Sequence, residues 1–237
     1  MEEAKAIQLS NQRTLEPQEV YKHITKTYLE EDAGILLNFF YLLDNIKKIP
    51  QRETYRIKSH EQVEFNEPDK SVRNFREEEW VCKKMALCHK DGHIFGSIVG
   101  YQIPLKVPGA GEQNAKLGKL DLLSVKEDTA YILELKAKNS TEQPLKAFLE
   151  AYTYWKQLGG DNSKEFLDKS DAAGCCRLDK AVVFYEGSDI HNRLMDSSQT
   201  VKDLIRKLKV RCFLVKGDGR PSLLFETSRE FDFKAWK

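Results

Sequence analysis

The stretch 118-GKLDLLSVKEDTAYILELK-136 decides the fold. It reads as two short strands, Leu120 to Val125 and Ala130 to Ala137, joined by the polar turn Lys126-Glu127-Asp128-Thr129. Side chains alternate faces along a strand. Tyr131, Leu133 and Leu135 therefore point one way, and Ile132, Glu134 and Lys136 the other. Asp121 lies on the preceding strand, 13 residues before Glu134, where strand pairing brings it beside them. Two acids and a lysine then converge among apolar neighbours. Burying an unpaired charge is costly, so such a set requires either an ion pair or a function. A surface hairpin with a Glu–Lys pair across one face is the plain alternative.

Working outward, Phe95 to Val107 alternates in part and is expected to pair with the Asp121 strand. Val72 to Leu87 reads as a helix with Phe75, Trp80, Val81, Met85 and Leu87 as its apolar members. Downstream, Pro144 opens a helix with Ser140 or Thr141 as cap, and Gly159-Gly160 ends it. Its aromatic run Tyr152, Tyr154, Trp155 reads as core. Part of Asn162 to Arg177 reads as a short helix. Lys180 to Glu186 is a near-continuous apolar run, as in a central strand buried on both faces. Val210 to Val215 and Ser222 to Glu226 flank Gly217-Asp218-Gly219, a hairpin signal. Between those two regions, Gln199 to Lys209 is amphipathic. Val201, Leu204, Ile205 and Leu208 face in, and Lys202, Arg206 and Lys209 face out together. A basic stripe of this kind can contact phosphates, though it more often forms a solvated face. The tail residues Phe231, Phe233 and Trp236 are expected to pack back on the body.

The D…ExK arrangement, Asp121 in Gly118-Lys119-Leu120-Asp121 and Glu134-Leu135-Lys136 on the next strand, resembles the PD-(D/E)XK nuclease superfamily. The likeness covers roughly Arg73 to Glu226 in element order, and only these short segments in motif. It implies an α/β (α+β) fold, a mixed central sheet flanked by helices with a restriction-endonuclease-like core over 71–237. Residues 1–70 are then expected to form an N-terminal, mainly helical extension. It also implies a metal-dependent nuclease acting on nucleic acid, DNA ahead of RNA, with Mg²⁺ or Mn²⁺ as cofactor. Asp121, Glu134 and the Leu135 carbonyl are the expected metal ligands, and Lys136 orients or helps deprotonate the attacking water. A helix before the sheet often adds one more acid in this superfamily. Glu77, Glu78 and Glu79 qualify by position, with Glu78 first and Glu79 second. A solvated acidic first turn explains any one of them equally well. Some RecB-like members carry Gln-x-x-x-Tyr on the helix after the motif. Glu150 and Tyr154 have that spacing here with Glu in place of Gln, and Gln143 is less well placed. Pro68-Asp69 stands too far from Glu134 to serve as the motif's first half.

Composition sets the frame for this reading. Of 237 residues, 41% are hydrophobic and 32% charged, which suits a folded soluble chain. The formal net charge is only +1, so any phosphate-binding surface is a local patch. No apolar run spans a bilayer and MEEAKAIQLSNQ lacks a signal-peptide pattern, so an intracellular, cytoplasmic protein without membrane contact is expected. Five cysteines without framework spacing read as thiols, and Cys82, Cys88, His89 and His93 match no paired zinc pattern. Near the N-terminus, Gln18 to Glu31 reads as a helix, Asp32-Ala33-Gly34 as a break and Ile35 to Ile46 as a buried helix. Thr54 to Lys58 and Gln62 to Phe65 alternate like a hairpin. If Ile35 to Leu43 instead docks a partner or forms a homodimer, the chain belongs to a different class. It is then a catalytically inactive nuclease-fold module acting through protein partners.

Overall fold

Six strands form one mixed sheet in the order β3-β4-β5-β6-β7-β8. They are β3 (Ser97–Pro104), β4 (Lys119–Lys126), β5 (Thr129–Leu135), β6 (Arg177–Tyr185), β7 (Arg211–Lys216) and β8 (Glu226–Glu230). The computed structural model describes residues 6–10, 14–57, 76–107, 117–217, 226–233 and 236. Strands β3, β4 and β5 run antiparallel, β5, β6 and β7 parallel, and β8 antiparallel to β7. A parallel step needs a crossover. Helices α4 (Pro144–Gln157) and α5 (Lys164–Asp168) lie between β5 and β6, and α6 (Asp189–Met195) and α7 (Gln199–Leu208) between β6 and β7.

The two faces of the sheet bury different partners. Ala130 and Ile132 of β5, with Val182 and Phe184 of β6, join α4, α7 and the N-terminal segment in one core. Tyr131, Leu133 and Leu135, with Ala181 and Val183, join α3 (Glu77–Cys88) in the other. The alternation read from the sequence therefore holds along β5, and β6 is the doubly buried central strand. One pair departs from it. Tyr101 and Leu122 lie in the α3 core, whereas Ile103 and Leu120, two residues on, lie in the opposite core. Between them Gln102 takes a positive φ of 46°, a region non-glycine residues seldom adopt. The β3–β4 pair turns over there, at the level of Asp121.

The N-terminal part differs from expectation. Pro17–His23 is a 3-10 helix rather than the start of a long α-helix. Helix α1 (Leu29–Asn38) runs through Asp32-Ala33-Gly34 without a break, and α2 (Phe40–Leu43) follows. Asp32 survives inside the helix because its Oδ1 accepts the Ser10 N–H at 2.9 Å, which ties the short hairpin β1 (Ile7–Gln8) and β2 (Thr14–Leu15) to α1. Asp32→Ala orphans that half-buried N–H. We expect a loss of about 1–3 kcal/mol in urea unfolding, and a loss under 0.5 kcal/mol would show the tie to be idle.

The apolar stretch that follows is divided. Leu36, Leu42 and Leu43 are buried, whereas Phe39 is 47% and Tyr41 56% exposed. Residues 54–57 form no strand, and Gln62 to Phe65 and Pro68-Asp69 lie outside the described residues. Helix α3 begins at Glu77, later than expected, and α4 begins at Pro144 with Gln143 as its cap, not Ser140 or Thr141. Strand β8 spans Glu226–Glu230, and Asp218, Gly219 and Ser222 to Phe225 of the expected hairpin lie outside the described residues. Phe231 and Trp236 pack back on the body as the sequence suggests. Among the described residues no helix is long and apolar enough to cross a membrane.

Candidate active site

The site forms where β4 and β5 part. Their ladder pairs Lys126 with Thr129 at the turn and runs to Leu122 opposite Leu133. Beyond that point a side chain takes over from the backbone, and the Leu135 N–H donates to Asp121 Oδ2 at 3.0 Å. Gln102 Nε2 donates to Asp121 Oδ1, also at 3.0 Å. The residue of unusual backbone thus holds one carboxylate oxygen and the neighbouring strand holds the other. No sequence pattern pointed to Gln102, because its role depends on a positive φ in the middle of a strand.

Glu134 and Lys136 share a face, as alternation requires, and both are buried. Lys136 Nζ donates to Glu134 Oε1 at 2.8 Å. Three more carboxylates surround the same ammonium: Glu142 Oε2 at 3.0 Å, Glu150 Oε2 at 3.6 Å and Glu78 Oε2 at 4.0 Å. Glu78 comes from α3 and Glu150 from α4. Glu142 comes from the connection before α4, and Lys146 also pairs with it. Of the three acids at the start of α3, Glu78 reaches the lysine, while Glu79 pairs with Arg76 at 2.8 Å. Glu142 was not legible in sequence, since it sits in an irregular segment with no period to place it.

The Glu150/Tyr154 spacing does bring a residue to the cleft. Tyr154 donates from its hydroxyl to Glu150 Oε1 at 2.9 Å, on the side opposite Lys136. Tyr21 of the 3-10 helix packs edge-on against Tyr154, ring centroids 6.1 Å apart. Gly118 explains itself here, because a β-carbon on it would stand 2.5 Å from the Tyr154 hydroxyl oxygen.

Electrostatics follow from this crowding. Burial pushes Asp121 up to about 7, with Lys136 pulling the other way and Glu78 adding to the rise. Burial also raises Glu78 and Glu134, and Asp121 and Glu150 push Glu134 further. Burial alone lowers a lysine, but Glu134, Glu150, Glu78 and Glu142 outweigh it and hold the Lys136 proton firmly on Nζ. Glu142 moves down despite its burial, because Lys136 and Lys146 both favour its charged form. The cleft holds more acid than its central cation neutralises, so part of the Glu78, Asp121 and Glu134 set keeps a proton near neutral pH. Gln102→Ala removes a donor to ionised Asp121. Its carboxyl should then titrate upward from about 7 in a ¹³C NMR titration, and an unmoved titration would mean the amide does not hold it.

Among the described residues, no group of three or more His, Cys, Asp or Glu side chains is disposed to hold a metal ion as they stand. The acids gather on the Lys136 ammonium instead. By donor type the set suits a hard divalent cation: the converging groups are carboxylates, and their charge exceeds that of the cation among them.

The basic stripe on α7 is not what the sequence suggested. Lys202 is buried, with its Nζ 5.2 Å from the Trp236 ring centre. Arg206 is engaged by Asp203 at 2.9 Å and by the Trp236 carbonyl at 2.6 Å. The helix end lies at Lys209, whose φ of 51° closes it. Two of the three cations therefore anchor the tail, and this helix offers no open row to phosphates. Set against protein-family models, curated proteins and solved structures, the chain matches none.

Proposed function

We propose that the chain is a metal-dependent nuclease, hydrolysing phosphodiester bonds in nucleic acid, DNA ahead of RNA, on a restriction-endonuclease-like core. One observation carries the reading. Asp121, Glu134 and Lys136 meet in a cleft of about 820 Å³, joined there by Glu78 and Glu150 from flanking helices. A bare Glu–Lys ion pair needs none of those other acids. Asp121, Glu134 and the Leu135 carbonyl would hold Mg²⁺ or Mn²⁺, with Glu78 completing the set. The ion supplies Lewis-acid polarisation of a phosphoryl oxygen and a more acidic bound water. Asp121 is oriented by Gln102 and the Leu135 N–H before any ligand arrives. Lys136 keeps its proton among these acids, so its part is to place positive charge and a donor beside the phosphate rather than to act as base.

The test is cleavage of single- and double-stranded DNA and RNA oligomers with Mg²⁺ or Mn²⁺. Asp121→Asn, Glu134→Gln and Lys136→Ala should each lose on the order of 10²–10³-fold or more in rate. Parent protein that cuts none of these polymers at millimolar metal would end the proposal. The interaction-module reading draws on Phe39, at the junction of α1 and α2, and Tyr41 on α2, which stand exposed beside each other. It gains ground if the chain is a dimer in solution scattering and Phe39→Glu dissociates it without unfolding.

A further inference from the structure

We propose that the cleft continues into a second groove on the N-terminal segment, and that this groove holds the sugar–phosphate backbone of a polynucleotide to one side of the scissile bond. The inference rests on the nuclease reading and adds where the polymer runs. A groove of about 560 Å³ is lined by Lys22, Lys47 and Lys48, and it meets the cleft at Leu117, which borders both. All three lysines are exposed. The cleft floor is acidic and repels phosphates other than one held by the metal. Cations are therefore needed beyond it. Arg76, Lys106 and Lys119 stand on the rim of the cleft, and the groove lysines extend that rim outward.

The groove rests on fixed backbone. The Ile49 N–H donates to the Gln157 carbonyl at 2.9 Å, pinning the Lys47–Lys48 segment to the end of α4. Tyr21 and Tyr154 form buried walls beside it. Lys48 pairs with Glu165 at 2.8 Å, but both side chains are more than 40% exposed, so water screens the pair and a phosphate can replace it. Glu16 and Glu19 border the same groove, and Glu16 is bonded to Gln18. They weaken the patch without reversing it. With α7 committed to its own tail, the N-terminal segment becomes part of the substrate path.

The test replaces Lys22, Lys47 and Lys48 together by Gln in the full chain, with Lys47→Gln alone as a second variant should the triple one fold poorly. Two substrates are compared. Bis(p-nitrophenyl) phosphate reaches only the cleft, whereas 30-nucleotide DNA and RNA oligomers span the groove as well. The triple variant should cut the small ester at the parent's rate and lose about tenfold or more in kcat/KM on the oligomers, chiefly through KM. Its log–log salt slope for oligomer binding should fall by roughly 2–3, at about 0.7–0.9 for each lost phosphate contact. The polymer, DNA or RNA, that shows the loss is the one the groove holds. Unchanged oligomer kinetics and an unchanged salt slope would overturn the groove while leaving the nuclease reading intact. A parent inactive on every substrate would overturn the nuclease reading, and the salt slope alone would then decide the groove.

Discussion

Saturating Mn²⁺ is expected to raise the melting temperature of the parent protein and of Lys136→Ala, and to leave Asp121→Asn and Glu134→Gln unmoved. An ion bound only by the folded state at 100 times its Kd contributes about 2.7 kcal/mol, which for a chain of this size is roughly 5–10 °C. The acids are the ligands in our proposal, so their neutral isosteres lose the shift. Lys136 is a cation held by Glu134 at 2.8 Å and by neighbouring acids, and it competes with the metal for them. An ammonium has no lone pair to give. Removing it should leave metal binding intact or tighten it, while cleavage is lost because the phosphate has lost its positive neighbour. Two outcomes would sink the proposal. One is Mn²⁺ indifference in all four proteins, even with an oligonucleotide present. The other is a shift that survives in Asp121→Asn and Glu134→Gln, which would show that these acids are not the ligands.

The second large effect is on pH. In metal-free protein, Asp121→Asn should gain stability relative to the parent as pH rises from about 4 to 7. The folded Asp121 carboxyl titrates at about 7 against an ordinary 3.8. Between those values the folded state binds a proton that the unfolded chain has released, so raising the pH disfavours folding. Glu78 and Glu134 act in the same direction. His93 and His191, whose burial lowers them, act the other way, so the difference between parent and variant is the quantity to read. That difference should reach about 1–3 kcal/mol at pH 7.5 and shrink toward zero near pH 4, measured by urea unfolding with chelator present. Metal should abolish it or reverse its sign, because a dication favours the ionised acids. A difference independent of pH would show that Asp121 is an ordinary ionised carboxylate in the fold.

Much of the sheet was legible because strand alternation is a local property. The turn at Glu127-Asp128, the faces of β5 and the doubly buried run of β6 follow from residues next to one another in the chain. The same rule placed Glu134 and Lys136 together, and the resemblance to the RecB-like helix signature, rather than any local pattern, singled out Glu150 and Tyr154. What local pattern could not give was any contact made by a departure from regularity. Gln102 reaches Asp121 through a positive φ in the middle of a strand, and Glu142 reaches Lys136 from an irregular connection. Asp32-Ala33-Gly34 reads as a break, yet α1 runs through it, with the buried Asp32 accepting a hydrogen bond from Ser10, 22 residues away. The row Lys202, Arg206, Lys209 has the spacing of an open basic face, but the aromatic tail folds over it, and only the tertiary structure brings Trp236 there. Sequence fixes which side chains share a face. What lies against that face is set by the packing of distant segments, and here that packing turned one basic stripe into an anchor and placed three exposed lysines along the groove beside the cleft.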